Sequence, residues 1–411
     1  MHVLKDLMLR RFEAEGLAAW GAPLRMVRKL LRWRRRSTAL TSCRRILVVR
    51  PDEIGDVVLS SPFFRNLRRS APNAHITVLT NPGCRSLVAN SPHINEVYSL
   101  PFKPTTAPQH RASLVSAAIK LKLSRLRRGF ELVLLPRVDA DWYNAELVAH
   151  LLAGNGLILM NSAGFIKWSI HPPKTLGLAD MRYEVGRVQS DALSNLEFLQ
   201  WCGGIIDHDR LEFWINPSEY DAVKAWLGKG STTKRTLIFH PPGSHSLLRR
   251  WPTGRSRELV QRLLDSTDFD VVVVGGPADE WLNTEFAGID HPGLKLALKR
   301  FTIPELGALI QQCGYFVGGD SGPMHIAAAV GAHTFGIFGP GSEIRFKPLG
   351  DRARVASLRS ICTPDNQQTY LAACHTCIND INQCMSDLTA SHVAEQIIDA
   401  MHTLSWSNCS L

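Results

Sequence analysis

"YFVGGDSGPMHIAAAVGAHTFGIFGP", residues 315–340, decides the fold. Two apolar runs rich in strand-forming residues, within 315–323 and 333–340, flank a helical segment that opens near Pro323. A strand, a glycine-rich turn, a helix and a second strand make a βαβ unit, the building block of a parallel sheet. The turn gathers Gly318, Gly319, Asp320, Ser321 and Gly322, with His325 one turn into the helix. Such a corner is either a plain strand-to-helix turn or a socket for an anion. Glycines let the backbone approach a ligand, a helix start directs N–H groups and the positive end of its dipole at it, and an imidazole donates to a phosphate oxygen.

The same alternation extends in both directions. Upstream in the second half, "TLIFHPPG" (236–243), "DVVVVGGP" (270–277) and "LKLAL" (294–298) read as strands. In the first half, "RRILVVR" (44–50), "HITVLT" (75–80), "EVYSL" (96–100) and "FELVLLP" (130–136) do so, with a helix over 56–72 and a basic helical run over 111–128. A chain of 411 residues exceeds a comfortable single core. The expected fold class is therefore α/β, with two Rossmann-like, doubly wound parallel-sheet domains and a cleft between them. The expected boundaries are a basic arm at 1–40, an N-terminal domain at 41–215, a junction at 216–235, a C-terminal domain at 236–386 and a terminal helix at 387–411.

Composition narrows the class. With 45% hydrophobic and 20% charged residues the chain reads as a soluble globular protein. No apolar run is long enough to span a bilayer and no secretory signal opens the chain, so a cytoplasmic location is expected. The net charge is +10, and residues 1–36 carry ten basic against three acidic side chains. Leu, Met, Phe and Trp residues at three- and four-residue spacing interleave with them, the pattern of a basic amphipathic helix on an anionic membrane surface. Nucleic acid is not an expected partner, since no zinc-finger spacing, RRM signature or aromatic platform accompanies the charge.

In open α/β sheets, ligands bind beyond the carboxyl ends of the strands. Three turns there carry chemistry. "RPDEIGDVVLSSP" (50–62) places Asp52, Glu53 and Asp56 after the first strand, with Asp56 at a helix start, a helix cap or a general base. "HPPGSHSLLRRWP" (240–252) offers Gly243 and Ser244 as donors and Arg249 and Arg250 as fixed positive charge for a diphosphate. The opening stretch is the third. Neither G-x-G-x-x-G nor a P-loop pattern is present, which argues against NAD binding and P-loop chemistry. A base in one half facing an anion socket in the other suits group transfer from a nucleotide-activated donor.

These motifs, with "GGPADE" (275–280), resemble those of the ADP-heptose:lipopolysaccharide heptosyltransferases, glycosyltransferase family 9, in order and spacing over roughly residues 45–404. The resemblance implies a GT-B fold and inverting, metal-independent sugar transfer with no cofactor. It implies an ADP-linked sugar as donor and a lipid-linked or other glycan hydroxyl as acceptor, at the inner face of the cytoplasmic membrane. By position, Asp56 matches the catalytic base, Asp320 the acid near the donor sugar, and Ser321, Gly322 and His325 the diphosphate corner. Arg249 stands where the family usually has a lysine, and Glu280 resembles the acid that holds the ribose hydroxyls. Other functional classes for such a chain are a sugar-nucleotide-binding protein without transfer activity and a nucleotide-sugar epimerase or hydrolase.

Two features fall outside that pattern. Asp139 and Asp141 in "PRVDAD" form a D-x-D, which suits either a metal site or, as favoured here, the acceptor side of the cleft. Cys362, Cys374, Cys377 and Cys384 include a C-x-x-C, which suits either a structural segment or zinc; no metal is expected at the active site.

Overall fold

The computed structural model describes residues 40–103, 107–138, 143–162, 177–228, 235–243, 249–358 and 383–402. The basic arm, Asp139, Asp141, Ser244, Cys362, Cys374 and Cys377 lie outside the described residues. Two compact units form: Ile54–Leu59 groups with Arg210–Leu411, and the remainder through Asp209 makes the first unit.

In chain order, the first half contains β1 (Arg45–Arg50), α1 (Ile54–Val58), α2 (Ser61–Ser70), β2 (His75–Thr80), β3 (Glu96–Ser99) and α3 (Pro108–Ser124). It continues with β4 (Leu132–Leu135), α4 (Ala145–Ala153), β5 (Leu157–Ser162), β6 (Met181–Glu184) and α5 (Asp191–Trp201). The first unit's sheet has the order β3-β2-β1-β4-β5-β6, with every pair parallel. Ile46, Leu47, Val48 and Val49 of β1 are fully buried, as a central parallel strand covered by helices on both faces requires. The expected single helix over 56–72 is two, α1 and α2, because Pro62 starts a new helix in its first turn and supplies no N–H to continue the old one.

The second half contains α6 (Pro217–Leu227), β7 (Arg235–His240), α7 (Arg255–Ser266), β8 (Phe269–Gly275), β9 (Leu294–Leu298) and α8 (Ile303–Cys313). Then come β10 (Tyr315–Gly319), α9 (Gly322–Ala329), β11 (His333–Phe338), β12 (Ala353–Ser357) and α10 (Ala390–His402). Its parallel sheet runs β12-β11-β10-β7-β8-β9. Counted from its own first strand this is the same 3-2-1-4-5-6 order as in the first unit, the doubly wound Rossmann arrangement.

The expected junction at 216–235 differs from what folds. Glu219 reaches back to the Asn216 N–H at 2.7 Å to start α6, and α6 packs on α8 inside the second unit. The terminal helix α10 is likewise core, not appendage. Leu388, Val393, Ala394 and Ile397 share one apolar cluster with Leu237 and Phe239 of β7, and the buried Trp251 indole donates to Leu388 O at 2.8 Å. Each fully buried Leu or Val contributes about 1.5–3 kcal/mol.

Candidate active site

Where the strand order of a doubly wound sheet reverses, adjacent loops diverge and leave a crevice beyond the carboxyl ends. In the second unit that point lies between β7 and β10, and register pairs His240 with Gly318 there. The turns after these strands hold Gly243 and Arg249 on one side and Asp320, Ser321, Gly322 and His325 on the other.

The β7 turn folds tightly on itself. Gly243 has φ +99°, and a Cβ there would overlap the backbone of Arg250, so glycine is required for both reasons. Arg250 Nε donates to Gly243 O at 3.3 Å, and its guanidinium lies 4.6 Å from the Trp281 ring centroid. That stack ties the turn after β7 to the turn after β8. Glu280, in the latter, is exposed and ion-paired with Lys299, which holds its carboxyl below the usual range through hydrogen bonding and charge.

The β10 turn leads straight into α9. Ser321 is the N-cap residue with extended backbone, yet its hydroxyl does not accept from its own helix. It donates to Gly319 O at 3.1 Å and lies 3.3 Å from His240 Nδ1. A hydroxyl that has given its proton to a carbonyl accepts from the imidazole, which assigns a proton to Nδ1. His240 Nε2 faces the Asp279 carboxylate at 3.8 Å, and that carboxylate accepts the Gly276 N–H at 2.7 Å. By contrast, Thr302 accepts the Glu305 N–H of its own helix at 3.4 Å, the usual use of a hydroxyl at a helix start. The N-terminal amides of α9 thus have no side-chain cap, the arrangement of an anion-binding corner.

Charge gathers at the same place. Arg249 Nη1 lies 3.2 Å from Asp320 Oδ2, with the arginine partly exposed and the acid buried. His325 is buried, and desolvation pushes its pKa down to about 4, so the ring is neutral at pH 7. Its Nδ1 has no hydrogen-bond partner among the described residues. His325 therefore brings a hydrogen-bonding ring, not a positive charge.

Asp56 joins this group through packing. The helix α1 that carries it lies on α9. A Cβ on Gly55 would stand 2.7 Å from His325 Cδ2, and one on Gly322 would stand 2.6 Å from Ile54 Cγ2. Two glycines thus allow the two helix starts to touch. Asp56 is half-buried in the first turn of α1. The neighbouring acids are elsewhere. Asp52 is buried against Arg50 Nε at 3.0 Å and against Arg137, while exposed Glu53 lies 3.5 Å from the Tyr143 hydroxyl. Of the three acids after β1, Asp56 alone belongs to the second unit.

The structure thus gathers Asp56, Gly243, Arg249, Asp320, Ser321, Gly322 and His325, and sets Glu280 one strand further out. Motif reading missed His240, Asp279 and Trp281. The only mark on His240 is its place at the end of an apolar strand run, and its pairing with Gly318 appears in the register alone. Among the described residues no cluster of three or more His, Cys, Asp or Glu side chains is arranged to hold a metal ion.

Comparison with known proteins bears on the fold and on the second unit's sequence. Residues 211–375, all in the second unit, match the profile of glycosyltransferase family 9 (heptosyltransferase). Lipopolysaccharide heptosyltransferase 3 of Escherichia coli is 23% identical over 301 residues, covering 72% of this chain and 83% of that one. Among solved structures, a glycosyl transferase family 9 protein from Veillonella parvula superposes with a TM-score of 0.66 at 18% identity, over 87% of this chain and 97% of its own. The E. coli ADP-heptose lps heptosyltransferase II does so with a TM-score of 0.64 at 20% identity, over 87% and 98%. The paired-Rossmann GT-B fold expected from the motifs is the fold of these proteins.

Proposed function

We propose that this chain, whose residues 211–375 match the glycosyltransferase family 9 profile, is an inverting, metal-independent transferase that moves heptose from ADP-heptose to a hydroxyl of a lipopolysaccharide-type acceptor. The observation that carries this reading is the packing of α1 on α9, which brings the Asp56 helix onto the helix start suited to an anion. The acceptor hydroxyl attacks the anomeric carbon as Asp56 takes its proton. The bond from that carbon to the diphosphate oxygen breaks on the opposite face, and the electron pair leaves with ADP. Configuration at the anomeric carbon inverts.

Negative charge developing on the diphosphate meets the α9 amides and Arg249, donors already in place and therefore worth most in the transition state. Arg249 is shared between Asp320 and the leaving phosphate, and its fixed guanidinium takes the part that a divalent cation plays in other transferases. Neutral His325 contributes through its ring nitrogens alone. Glu280 receives the ribose hydroxyls by exchanging its ion pair with Lys299 for them. The protein works at the cytoplasmic face of the membrane, with residues 1–36 drawn to its anionic surface. No described helix is long and apolar enough to cross a membrane.

Replacing Asp56 tests the scheme. Asp56→Asn is expected to lower transfer by about 10²–10⁴-fold while leaving ADP affinity, measured by calorimetry, unchanged. Loss of ADP binding in a folded variant would remove Asp56 from the role of base. Full activity in excess chelator is expected, and its abolition would overturn metal independence.

A further inference from the structure

The helix α3 buries Leu114 and Ala118 on one face and packs against α4. Its other face is not polar. Ile119 is 43% exposed and Leu123 63%, four residues apart and so on one stripe, which Ala112 and Ser116 extend toward the helix start and Arg127 continues beyond its end. Around them the charge is of one sign. Residues 101–130 contain Lys103, Arg111, Lys120, Lys122, Arg125, Arg127 and Arg128 and not one acid. This stretch and residues 1–36 each carry a net +7, so the rest of the chain is net −4 within a total of +10. The protein's surplus positive charge is confined to two short stretches.

We propose that the outward face of α3 docks onto an anionic phospholipid bilayer, with Ile119 and Leu123 entering the headgroup boundary and Lys120, Arg125, Arg127 and Arg128 resting on lipid phosphates. Lys122 and Arg111 do not belong to this contact, since they turn to Leu151 O of α4 and to Asn144 Oδ1 at its start, whereas Arg127 donates only its Nε to Leu123 O on α3 itself and stays exposed. A basic helix face with aliphatic residues at its centre is suited to the membrane interface, where both terms add. A nucleic acid would use the charge and leave the two aliphatic side chains without a partner. The fold supports the orientation. Arg45 Nε donates to Gly129 O at 2.9 Å, so the basic segment that follows α3 lies at the same end of the first unit's sheet as the start of β1.

The test measures partition of the full chain onto sedimentable vesicles of phosphatidylcholine with and without phosphatidylglycerol. The double variant I119S/L123S removes the aliphatic pair, and R125Q/R127Q/R128Q removes the charge. Residues 1–36 are unchanged in both, so the ratio to the parent protein reads α3 alone. Each variant is expected to partition about tenfold more weakly onto the anionic vesicles, with an unchanged unfolding midpoint, and the deficit of the charge variant relative to the parent is expected to shrink as salt rises. Partition of I119S/L123S within twofold of the parent would overturn the proposal. Binding to a DNA duplex that survives I119S/L123S and is lost in the charge variant, without vesicle binding, would assign the face to a polyanion instead. Donor binding by the same variants is expected to stay intact in either case, because α3 belongs to the first unit and the β7–β10 turns to the second.

Discussion

The two units repeat one topology, and each has a point where strand order reverses, between β1 and β4 in the first and between β7 and β10 in the second. In the first, the crevice is filled from within. The carboxylate of Asp52 sits fully buried between Arg50 and Arg137, whose guanidinium also lies 4.9 Å from the Tyr143 ring centroid. In the second, the same place is lined by glycines, the hydroxyl that would cap α9 is turned aside to His240, and the histidine beneath is neutral. Topology decides where a crevice forms. The charges placed in it decide whether the protein fills it or leaves it for a ligand.

The largest effect comes from breaking the filled crevice. Asp52→Ala removes the buried carboxylate that Arg50 and Arg137 share, and urea unfolding of the first unit is expected to lose about 3–5 kcal/mol. A loss below about 1 kcal/mol would mean the ion pairs do not lock that turn.

Acid tests the other side of the comparison. Burial lowers the pKa of His325 and of His333 to about 4, His333 with added repulsion from Arg352 and Arg354. The unfolded chain, with histidines near 6.5, binds protons first as pH falls. Stability of the second unit is therefore full above pH 6.5 and declines between 6.5 and about 4, by on the order of 3 kcal/mol per histidine at most. Unfolding midpoints at pH 7, 6 and 5 check this. His333→Phe, which keeps the stack on Tyr315, is expected to reduce the slope.

Smaller changes separate the parts of the open corner. His240→Phe removes the donor that holds Ser321 away from α9. The hydroxyl is then expected to turn back to its own helix amides and compete with the diphosphate, weakening ADP about tenfold, or roughly 1.4 kcal/mol, by calorimetry. Unchanged affinity would reduce the His240 contact to simple packing. Least of all, Ser321→Ala is expected to change unfolding free energy by well under the ~1 kcal/mol typical of a lost N-cap, because this serine does not cap.

Much of this was legible in the sequence, for identifiable reasons. Central parallel strands announce themselves, since β1, β7, β8 and β10 are continuous apolar runs. The runs that escaped notice include β6, "MRYE", and β12, "ARVAS", edge strands with one neighbour each and partly exposed side chains. β5, "LILMNS", was readable by the same rule as its neighbours. In the site, the turn compositions pointed to Asp320, Ser321, Gly322 and His325 because glycine, acid and hydroxyl act locally. The part played by His240 depends on register with a strand about 80 residues away, and no local pattern carries that. The ion pairing of Asp52 with Arg137 is equally non-local, so the sequence singles out Asp56 by its helix start but does not show where Asp52 and Glu53 turn.

The core that joins β7 to α10 also sets a timetable. Leu237 and Phe239 are covered in part by Val393, Ala394 and Ile397, which are translated about 150 residues later. At ribosomal speeds of about 5–20 residues per second, that interval is roughly 8–30 s. The first unit can close its sheet during this time, while the strands of the second wait with one face unfinished. That interval is when the half-built second sheet offers apolar surface to chaperones and to other unfinished chains.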